Sequence, residues 1–198
     1  METKKQIRKR ILEKRDALSE AQRKKENDLI YDLVMGSSAY KQADGLLVFA
    51  SFGSEADTFR IAGEALCEGK ILYYPLVTGD EMEFYRVDEI SALKPGFRGI
   101  LEPEASDETK YIPRSDQNIL MLMPGVVFDR KGGRIGYGGG FYDKYLEKLL
   151  NNPKLHVTTI AIAFSCQILD EGHIPQEEHD ISPDYVISSE EILCFQQK

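Results

Sequence analysis

The sequence predicts an α/β fold of three layers, in which helices cover both faces of a mainly parallel sheet. Short apolar runs typical of buried strands alternate along the chain with segments that have helical periodicity. A glycine-rich stretch lies where one of these strands should connect to a helix. With 198 residues and 42% hydrophobic side chains, the chain has enough apolar material for a core, which predicts a single domain over residues 1–198.

Two helices are predicted at the start of the chain. Thr3 is suited to cap a helix, and Ile7 and Ile11 recur at helical spacing among charged residues, which predicts an amphipathic helix at about residues 4–17. A capping-box pattern that begins at Ser19 predicts the start of a second helix. The apolar stripe of that helix consists of Leu29, Ile30, Leu33 and Val34.

The remaining elements follow from apolar runs and turn signals. Strands are predicted at 45–50, 71–74, 81–87, 119–123, 157–164 and 185–188, the last of these being the final strand, and helices at 58–68 and 141–150. Prolines and glycines predict an irregular connection over 91–116. Because helices alternate with most of these strands, a mainly parallel sheet is the expected arrangement.

Composition argues against several classes of protein. The longest apolar stretch, 119–128, is interrupted by a Pro-Gly pair and is much shorter than the roughly 20 residues of a membrane-spanning helix. The charged N-terminus lacks the apolar segment of a secretory signal, so we expect a cytoplasmic protein without a membrane partner. The cysteines have wide spacings that indicate reduced thiols, and we give them no catalytic role: Cys67, Cys166 and Cys194.

The charge of the chain is negative and unevenly distributed. The total is −8, yet the first 25 residues contain ten Lys and Arg against four Asp and Glu, so a segment of +6 precedes a remainder of −14. A net negative charge argues against general affinity for nucleic acid, which depends on clustered Lys and Arg. The basic N-terminal helix nevertheless leaves a nucleic-acid-binding protein as one alternative.

The most informative stretch runs from Met123 to Leu146. Six of the 16 glycines lie between Gly132 and Gly140, after a predicted strand and before a predicted helix. Glycine permits positive φ angles and close approach of a ligand, so consecutive backbone N–H groups can form a concave phosphate site together with the start of the helix. Arg134 can supply a fixed positive charge. The sequence therefore predicts a phosphate-binding loop.

Two well-known phosphate motifs do not fit this loop. The dinucleotide-binding pattern would require glycine at Phe141, and the Walker pattern would require lysine at Gly139. For a lone glycine pair, a surface loop whose glycines serve only turns would be the simpler interpretation. An arginine, several further glycines and an aspartate in fixed order favour a binding loop instead.

From Pro124 to Asp143 the chain follows the pattern Pro-x-x-x-Phe-Asp-x-x-Gly-x-Arg-Ile-Gly-x-Gly-Gly-Gly-Phe-Tyr-Asp. This pattern closely resembles the signature of the 5-formyltetrahydrofolate cyclo-ligases, also called methenyltetrahydrofolate synthetases. Further pieces agree in the expected order, namely Lys4 with Arg8, Glu55, residues 99–103 and residues 175–180. The resemblance therefore spans nearly the whole chain.

The resemblance implies an enzyme that cyclises 5-formyltetrahydrofolate to 5,10-methenyltetrahydrofolate, with ATP as co-substrate and Mg²⁺ as cofactor. The γ-phosphoryl group of ATP would pass to the formyl oxygen before ring closure and release of ADP and phosphate. A fold similar to that of sugar-phosphate isomerases and coenzyme A transferases is also implied. We favour a monomer whose partners are the folate and ATP, without nucleic acid.

The same resemblance assigns roles to individual residues. Arg134 and Asp143 are the expected catalytic residues, and Asp143 and Asp180 are the expected Mg²⁺ ligands. ATP is expected to contact Lys4, Arg8, Arg134, Ile135, Gly136, Tyr137, Gly138, Gly139, Gly140, Phe141 and Tyr142. The folate is expected to contact Ala50, Glu55, Tyr137, Gly138 and Gly139.

Each charged candidate also has a simpler structural interpretation. Asp143 could complement a helix dipole, and Asp180 could be an ordinary turn residue. Lys4 and Arg8 could form a solvated helix face, and Glu55 could be an acid that precedes a helix. A phosphosugar isomerase on the same scaffold remains the alternative enzyme, because it would use the loop for a substrate phosphate and would need no ATP.

Overall fold

The fold is that of a computed structural model, which describes residues 2–170, 173–177 and 180–195. Its α-helices are α1 (Lys4–Asp16), α2 (Glu20–Gly36), α3 (Ser38–Gln42), α4 (Phe59–Cys67) and α5 (Phe141–Leu150). Its strands are β1 (Gly45–Leu47), β2 (Ile71–Thr78), β3 (Glu81–Arg86), β4 (Lys94–Pro95), β5 (Leu101–Glu102), β6 (Asn118–Met123), β7 (Val127–Phe128), β8 (Arg134–Ile135), β9 (His156–Ala163), β10 (Tyr185–Ser188) and β11 (Ile192–Cys194). Short 3-10 helices occur at Ile90–Ala92, Phe97–Gly99 and Ser165–Gln167.

A seven-stranded sheet forms the centre of the fold. Its strands lie in the order β11-β10-β9-β6-β1-β2-β3. Strands β10, β9, β6, β1 and β2 pair in parallel, whereas β11 and β3 pair antiparallel at the two edges. The predicted α/β class with a mainly parallel sheet is therefore confirmed.

Helices cover both faces of this sheet, as strand β6 shows most clearly. Leu120 and Leu122 belong to a hydrophobic cluster that α2 and α4 complete, while Met121 and Met123 belong to a second cluster that α5 completes. Successive side chains of a strand point to opposite faces, so a strand covered on both sides needs an unbroken apolar run. This is the physical reason why β6 could be recognised in the sequence.

The strand order reverses at β1, and at such a point an open α/β sheet has a crevice outside the carboxyl ends of its strands. The chain passes from β1 to β2 on one side and later returns to place β6 on the other side of β1. The segments that follow β1 and β6 therefore diverge from neighbouring carboxyl ends, where open α/β sheets bind their ligands. The segment after β1 contains Glu55, and the segment after β6 is the glycine-rich loop.

Helix α1 packs against a small hairpin formed by β7 and β8. Thr3 and Gln6 form a reciprocal capping box that begins the helix. Ile7 and Ile11 are 5% and 1% exposed and belong to one cluster with residues of the hairpin. The other buried members of that cluster are Val126, Val127, Ile135 and Ile174. Burial of this apolar stripe fixes the basic helix beside the glycine-rich loop.

Most predicted boundaries are confirmed to within one residue, but β1 ends at Leu47 rather than at residue 50, and one α-helix and five strands were not foreseen. Helix α1 ends one residue before the predicted limit, whereas β2 extends four residues further than predicted because it pairs with β3 in a hairpin. The interpretation of 185–188 as the final strand was wrong, since β11 follows it. Helix α3, the β4–β5 pair within 91–116 and the β7–β8 pair within the loop were also missed. In the described part of the chain, no helix combines the length and hydropathy needed to cross a membrane.

Candidate functional site

The glycine-rich loop is organised around the side chain of Arg134. This residue begins β8, and its guanidinium donates from Nη2 to Asp143 Oδ1 at 2.5 Å and from Nη1 to the carbonyl oxygen of Pro124 at 3.2 Å. Arg134 Nε is buried and has no hydrogen-bond partner within residues 2–170, 173–177 and 180–195. The two expected catalytic residues are therefore in direct contact, and a donor of the arginine remains uncommitted.

Helix α5 begins immediately after the loop. Its first residue follows Gly140, which has the left-handed backbone angle φ = 66° and no side chain to cap the helix. The N–H groups of a first helical turn have no partner within the helix, and the helix dipole makes this end favourable for an anion. Asp143 occupies that first turn and is one such anionic group.

Asp129 holds the loop together, although the sequence analysis assigned it no role. Its Oδ1 accepts hydrogen bonds from the backbone N–H groups of Lys131 and Gly133, both at 2.8 Å. Its Oδ2 accepts from the backbone N–H of Ile174 at 2.6 Å. A Cβ at Gly133 would lie 2.5 Å from Asp129 Oδ2, so only glycine permits this approach. Asp129 thereby attaches the 173–177 segment to the β7–β8 hairpin.

Helix α1 brings one of its two predicted ATP-binding cations to the loop and the other to the segment that contains Glu177 and Asp180. Arg8 Nε donates to the carbonyl oxygen of Gly136 at 2.7 Å. Lys4 Nζ contacts Asp180 Oδ2 at 2.6 Å and Glu177 Oε1 at 3.1 Å. Desolvation lowers the pKa of the Lys4 ammonium, but the hydrogen bonds and negative charges of Asp180 and Glu177 outweigh it and raise that pKa. Both cations contact other parts of the protein, so they do not form a merely solvated helix face.

The two predicted metal ligands lie on adjoining segments. Asp143 Oδ1 accepts a hydrogen bond from the backbone N–H of Ile181 at 3.1 Å, next to Asp180. Asp180 Oδ2 also accepts the backbone N–H of Glu177 at 2.8 Å. Among the described residues, no group of three or more His, Cys, Asp or Glu side chains is arranged to hold a metal ion. The structure therefore brings two carboxylates into one region without forming a larger acidic cluster.

Glu55 and Tyr137 connect the two sides of the crevice. The hydroxyl of Tyr137 donates to Glu55 Oε1 at 2.5 Å, and the backbone N–H of Phe52 donates to Glu55 Oε2 at 2.8 Å. Burial raises the pKa of the Glu55 carboxyl above its usual value, although both hydrogen bonds and the charge of Arg15 act in the opposite direction. The structure thus places the expected folate acid against the expected ATP loop.

The other predicted contact residues have different surroundings. Ile135 and Ala50 are 2% and 5% exposed and belong to hydrophobic clusters. Phe141 and Tyr142 pack against the core, and burial raises the pKa of the Tyr142 phenol strongly. By contrast, the Tyr137 side chain is 51% exposed. Of the loop aromatics that we predicted to contact ATP, Tyr137 presents the most surface to solvent.

Arg15, to which the sequence analysis gave no role, lies beside the candidate site residue Tyr137. It is 4% exposed, donates from Nε to Ser54 Oγ at 3.0 Å, and places its Cζ 5.9 Å from the centroid of the Tyr137 ring. One signal was present in the sequence, because Arg15 lies four residues after Ile11 and so shares its buried helix face. A charged residue at an apolar position of an amphipathic helix indicates a special environment.

A separate groove of about 440 Å³ lies beside the amino-terminal end of β2, away from the crevice. Its walls include four basic and three acidic residues, namely Lys70, Arg86, Lys110, Arg114, Asp88, Asp107 and Glu108. None of the residues predicted to bind ATP, folate or Mg²⁺ contributes to these walls. The volume of a groove alone therefore does not locate the candidate site.

The burial of Glu55 predicts a specific dependence of stability on pH. Burial raises the pKa of this carboxyl in the folded state, so the folded protein retains the proton to higher pH than the unfolded chain does. The free energy of unfolding of the wild type should therefore fall relative to that of Glu55→Gln as the pH rises from the pKa of Glu55 in the unfolded chain to its pKa in the folded protein. Above the folded-state pKa, the difference between the two proteins should stay constant. Urea unfolding from about pH 4 to about pH 8 measures this difference.

Glu81→Gln, a change at an exposed position, is the matched control and should follow the wild type over the same pH range. A wild type that gained unfolding free energy relative to Glu55→Gln as the pH rose would contradict the described environment of Glu55.

The chain matches a known protein family over most of its length. The model of the "5-formyltetrahydrofolate cyclo-ligase family" matches residues 1–189. Relatives named 5-formyltetrahydrofolate cyclo-ligase include one from Mus musculus, 28% identical with 91% of each chain covered. Another from Escherichia coli is 28% identical, with 92% of this chain and 98% of the relative covered.

Solved structures show the same similarity. The NMR structure of 5,10-methenyltetrahydrofolate synthetase from Aquifex aeolicus superposes with a TM-score of 0.81 at 27% identity, covering 98% of this chain and 94% of that chain. A 5,10-methenyltetrahydrofolate synthetase from Mycoplasma pneumoniae, 24% identical, has the same fold with a TM-score of 0.71 and coverage of 94% and 98%. From the family match over residues 1–189 and these similarities, we conclude that the chain belongs to the 5-formyltetrahydrofolate cyclo-ligase family and is a ligase enzyme.

Proposed function

We propose that this protein converts 5-formyltetrahydrofolate to 5,10-methenyltetrahydrofolate in a reaction that consumes ATP, requires Mg²⁺ and releases ADP and phosphate. The observation that carries the proposal is the meeting, at the crevice between β1 and β6, of an arginine-centred glycine loop with the acid Glu55. Family membership supports the substrate, because the relatives are named for it.

The chemistry explains why ATP is needed. The formyl group on N5 is amide-like, and its oxygen is a poor leaving group. Attack of this oxygen on the γ-phosphorus of ATP releases ADP and converts the oxygen into part of a phosphate ester. N10 then attacks the activated carbon, phosphate leaves with the original formyl oxygen, and N10 gives up its proton. Such a sequence requires positioning and charge neutralisation from the protein rather than a nucleophilic side chain.

We assign the phosphates of ATP to the glycine loop and to helix α1. Arg134 has an uncommitted buried Nε, and Gly136 to Gly140 precede the free N–H groups at the start of α5. Arg8 already contacts this loop through Gly136, and Lys4 lies at the same end of α1. Charge-assisted hydrogen bonds from these cations would stabilise phosphate oxygens. The backbone contacts would involve Ile135, Gly138, Gly139, Phe141 and Tyr142 as well.

The described carboxylates fit a Mg²⁺ ion that is shared with the phosphates. Mg²⁺ prefers oxygen ligands and commonly takes one or two carboxylates together with water and phosphate oxygens. Asp143 uses Oδ1 for Arg134 and Ile181, so Oδ2 remains for a metal ion, and Asp180 lies on the neighbouring segment. Bound there, the ion would supply charge neutralisation for the triphosphate.

We assign the folate to the other side of the crevice. The Glu55 carboxylate can accept hydrogen bonds from the N–H groups of the pterin. Tyr137 contacts this carboxylate through its hydroxyl, and about half of its surface is exposed. Ala50 lies in the segment after β1, while Gly138 and Gly139 bring the loop backbone close. If the folate and ATP occupy neighbouring parts of one crevice, the formyl oxygen of the folate can lie beside the γ-phosphate of ATP, as the reaction requires.

The proposed reaction predicts a requirement for both ATP and Mg²⁺. Absorbance of the methenyl product should increase only when 5-formyltetrahydrofolate, ATP and Mg²⁺ are all present, and ADP should form in equal amount. The assay is repeated with ATP or Mg²⁺ omitted in turn, and with EDTA added. Full-rate product formation without ATP would contradict the proposal, and isomerisation of a phosphosugar would support the alternative enzyme instead.

A second prediction concerns Asp143. Asp143→Asn should lower turnover and raise the Mg²⁺ concentration needed for half-maximal activity by at least about tenfold, because a neutral amide is a poorer ligand for a hard cation. Glu147→Gln, one turn later on the same helix, is the matched control. Unchanged metal dependence in Asp143→Asn would show that Asp143 serves only to pair with Arg134.

A third prediction tests the role of helix α1 in ATP binding. Lys4→Ala and Arg8→Ala should each raise the KM for ATP by roughly tenfold to a hundredfold while the KM for the folate changes little, because each removes a charge-assisted phosphate contact. Lys9 is the control, since its side chain is 80% exposed on the same helix. Equal, small effects at all three positions would contradict the assignment.

A further inference from the structure

Arg15 combines burial with an unused hydrogen-bond donor. The residue is 4% exposed, and its Nη1 has no partner among the residues that the structure describes. Its Nε donates to Ser54 Oγ, and the Ser54 hydroxyl in turn donates to Asp16 Oδ1. These bonds fix the direction of the guanidinium. A buried donor without a partner is unfavourable, so its retention at this position needs an explanation.

The surroundings of Arg15 suggest what the donor is for. Ser54 precedes Glu55 in the chain, and the guanidinium lies over the ring of Tyr137, whose hydroxyl is bonded to Glu55. The positive charge of Arg15 also acts on Glu55, where it opposes the rise that burial causes in the pKa of the carboxyl. A cationic donor and an anionic acceptor therefore lie together in one wall of the crevice.

We propose that Arg15 is a further substrate-binding residue, whose guanidinium donates to the ring carbonyl oxygen of the pterin while Glu55 accepts from the N–H groups beside it. The inference rests on the proposed function, because it specifies how the folate site recognises its ring. The pyrimidine edge of a pterin presents one carbonyl acceptor next to N–H donors. A guanidinium beside a carboxylate has the complementary order of donors and acceptors.

Tyr137 controls access to this pair. Its ring lies beside the guanidinium, and its hydroxyl donates to Glu55 Oε1. The side chain is 51% exposed and lies between Gly136 and Gly138 in the loop, and we expect it to turn outward when the pterin binds. Arrival of the pterin then replaces one hydrogen bond at Glu55 and gives Arg15 its missing acceptor.

The test compares two ligands that differ at the ring position in question. Equilibrium binding without ATP is measured for 5-formyltetrahydrofolate and for its 4-amino-4-deoxy counterpart, in which an amino group replaces the ring carbonyl oxygen. In Arg15→Gln, the ratio of the two affinities should fall at least tenfold in comparison with the wild type, because a site that donates to the carbonyl discriminates strongly against a group that cannot accept. The KM for ATP should change less than about twofold.

Lys14→Gln is the matched control, since it removes the same charge from the neighbouring, exposed position of α1 and should leave the ratio unchanged. Ser54→Ala keeps the guanidinium but removes the group that orients it, and should lower the ratio by a smaller factor. Arg15→Gln with the wild-type ratio would overturn the inference, whether both affinities were unchanged or both had fallen together through a loss of structure.

The outcome for Arg15 is separable from that for the proposed function. A wild type that binds the folate and forms product, together with an unchanged ratio in Arg15→Gln, would overturn the assignment of Arg15 alone. A wild type that discriminates between the two ligands through Arg15 but forms no product with ATP and Mg²⁺ would support the binding role and overturn the proposed reaction.

Discussion

The ion pair between Arg134 and Asp143 is the interaction on which the candidate site depends. Their side chains are 7% and 17% exposed, so both charges are largely removed from water. Such a pair needs good geometry to offset the cost of desolvation, and loss of one partner costs about 3–5 kcal/mol. Here the pair joins the start of β8 to the first turn of α5, and through the N–H of Ile181 it also attaches the segment that contains Asp180.

Helix α1 connects this region with the folate side of the crevice. The burial of Ile7 and Ile11 positions one helix face so that Lys4, Arg8 and Arg15 contact successive parts of the site. The uneven charge of the chain favours this packing, because a helix from the segment of net charge +6 lies against the remainder of the chain, whose net charge is −14. In our account one helix contributes to the binding of both substrates, and its packing is therefore part of the function.

The sequence predicted well those helices and strands that are determined by neighbouring residues in the chain. The capping box at Thr3 and the two-faced burial of β6 are visible in the residues themselves, and both elements were placed within one residue of their observed limits. The β7–β8 hairpin was missed because each strand has only two residues and forms through contacts with α1 and the 173–177 segment.

The candidate site was predictable to a similar extent. The glycine pattern predicted a binding loop, and the family resemblance named Arg134, Asp143 and Glu55 as candidates. The structure pairs Arg134 with Asp143 and Glu55 with Tyr137, and the roles of these residues stay predictions. Asp129 was not recognised, because it accepts from the backbone N–H of Ile174, 45 residues away in the chain, which only the folded structure brings near. Arg15 lies on the buried face of α1, but its partner Ser54 is 39 residues away in the chain and could not be foreseen. Long-range hydrogen bonds of this kind leave no periodic signal in a sequence.

The central claim of this account is that ATP activates the formyl oxygen of the folate, and an isotope measurement tests it most directly. 5-Formyltetrahydrofolate labelled with ¹⁸O in the formyl group is converted in unlabelled water with ATP and Mg²⁺, and the released phosphate is examined by mass spectrometry. We expect each phosphate to carry one ¹⁸O atom, since the formyl oxygen leaves as part of the phosphate. Unlabelled phosphate formed together with the methenyl product would contradict the account.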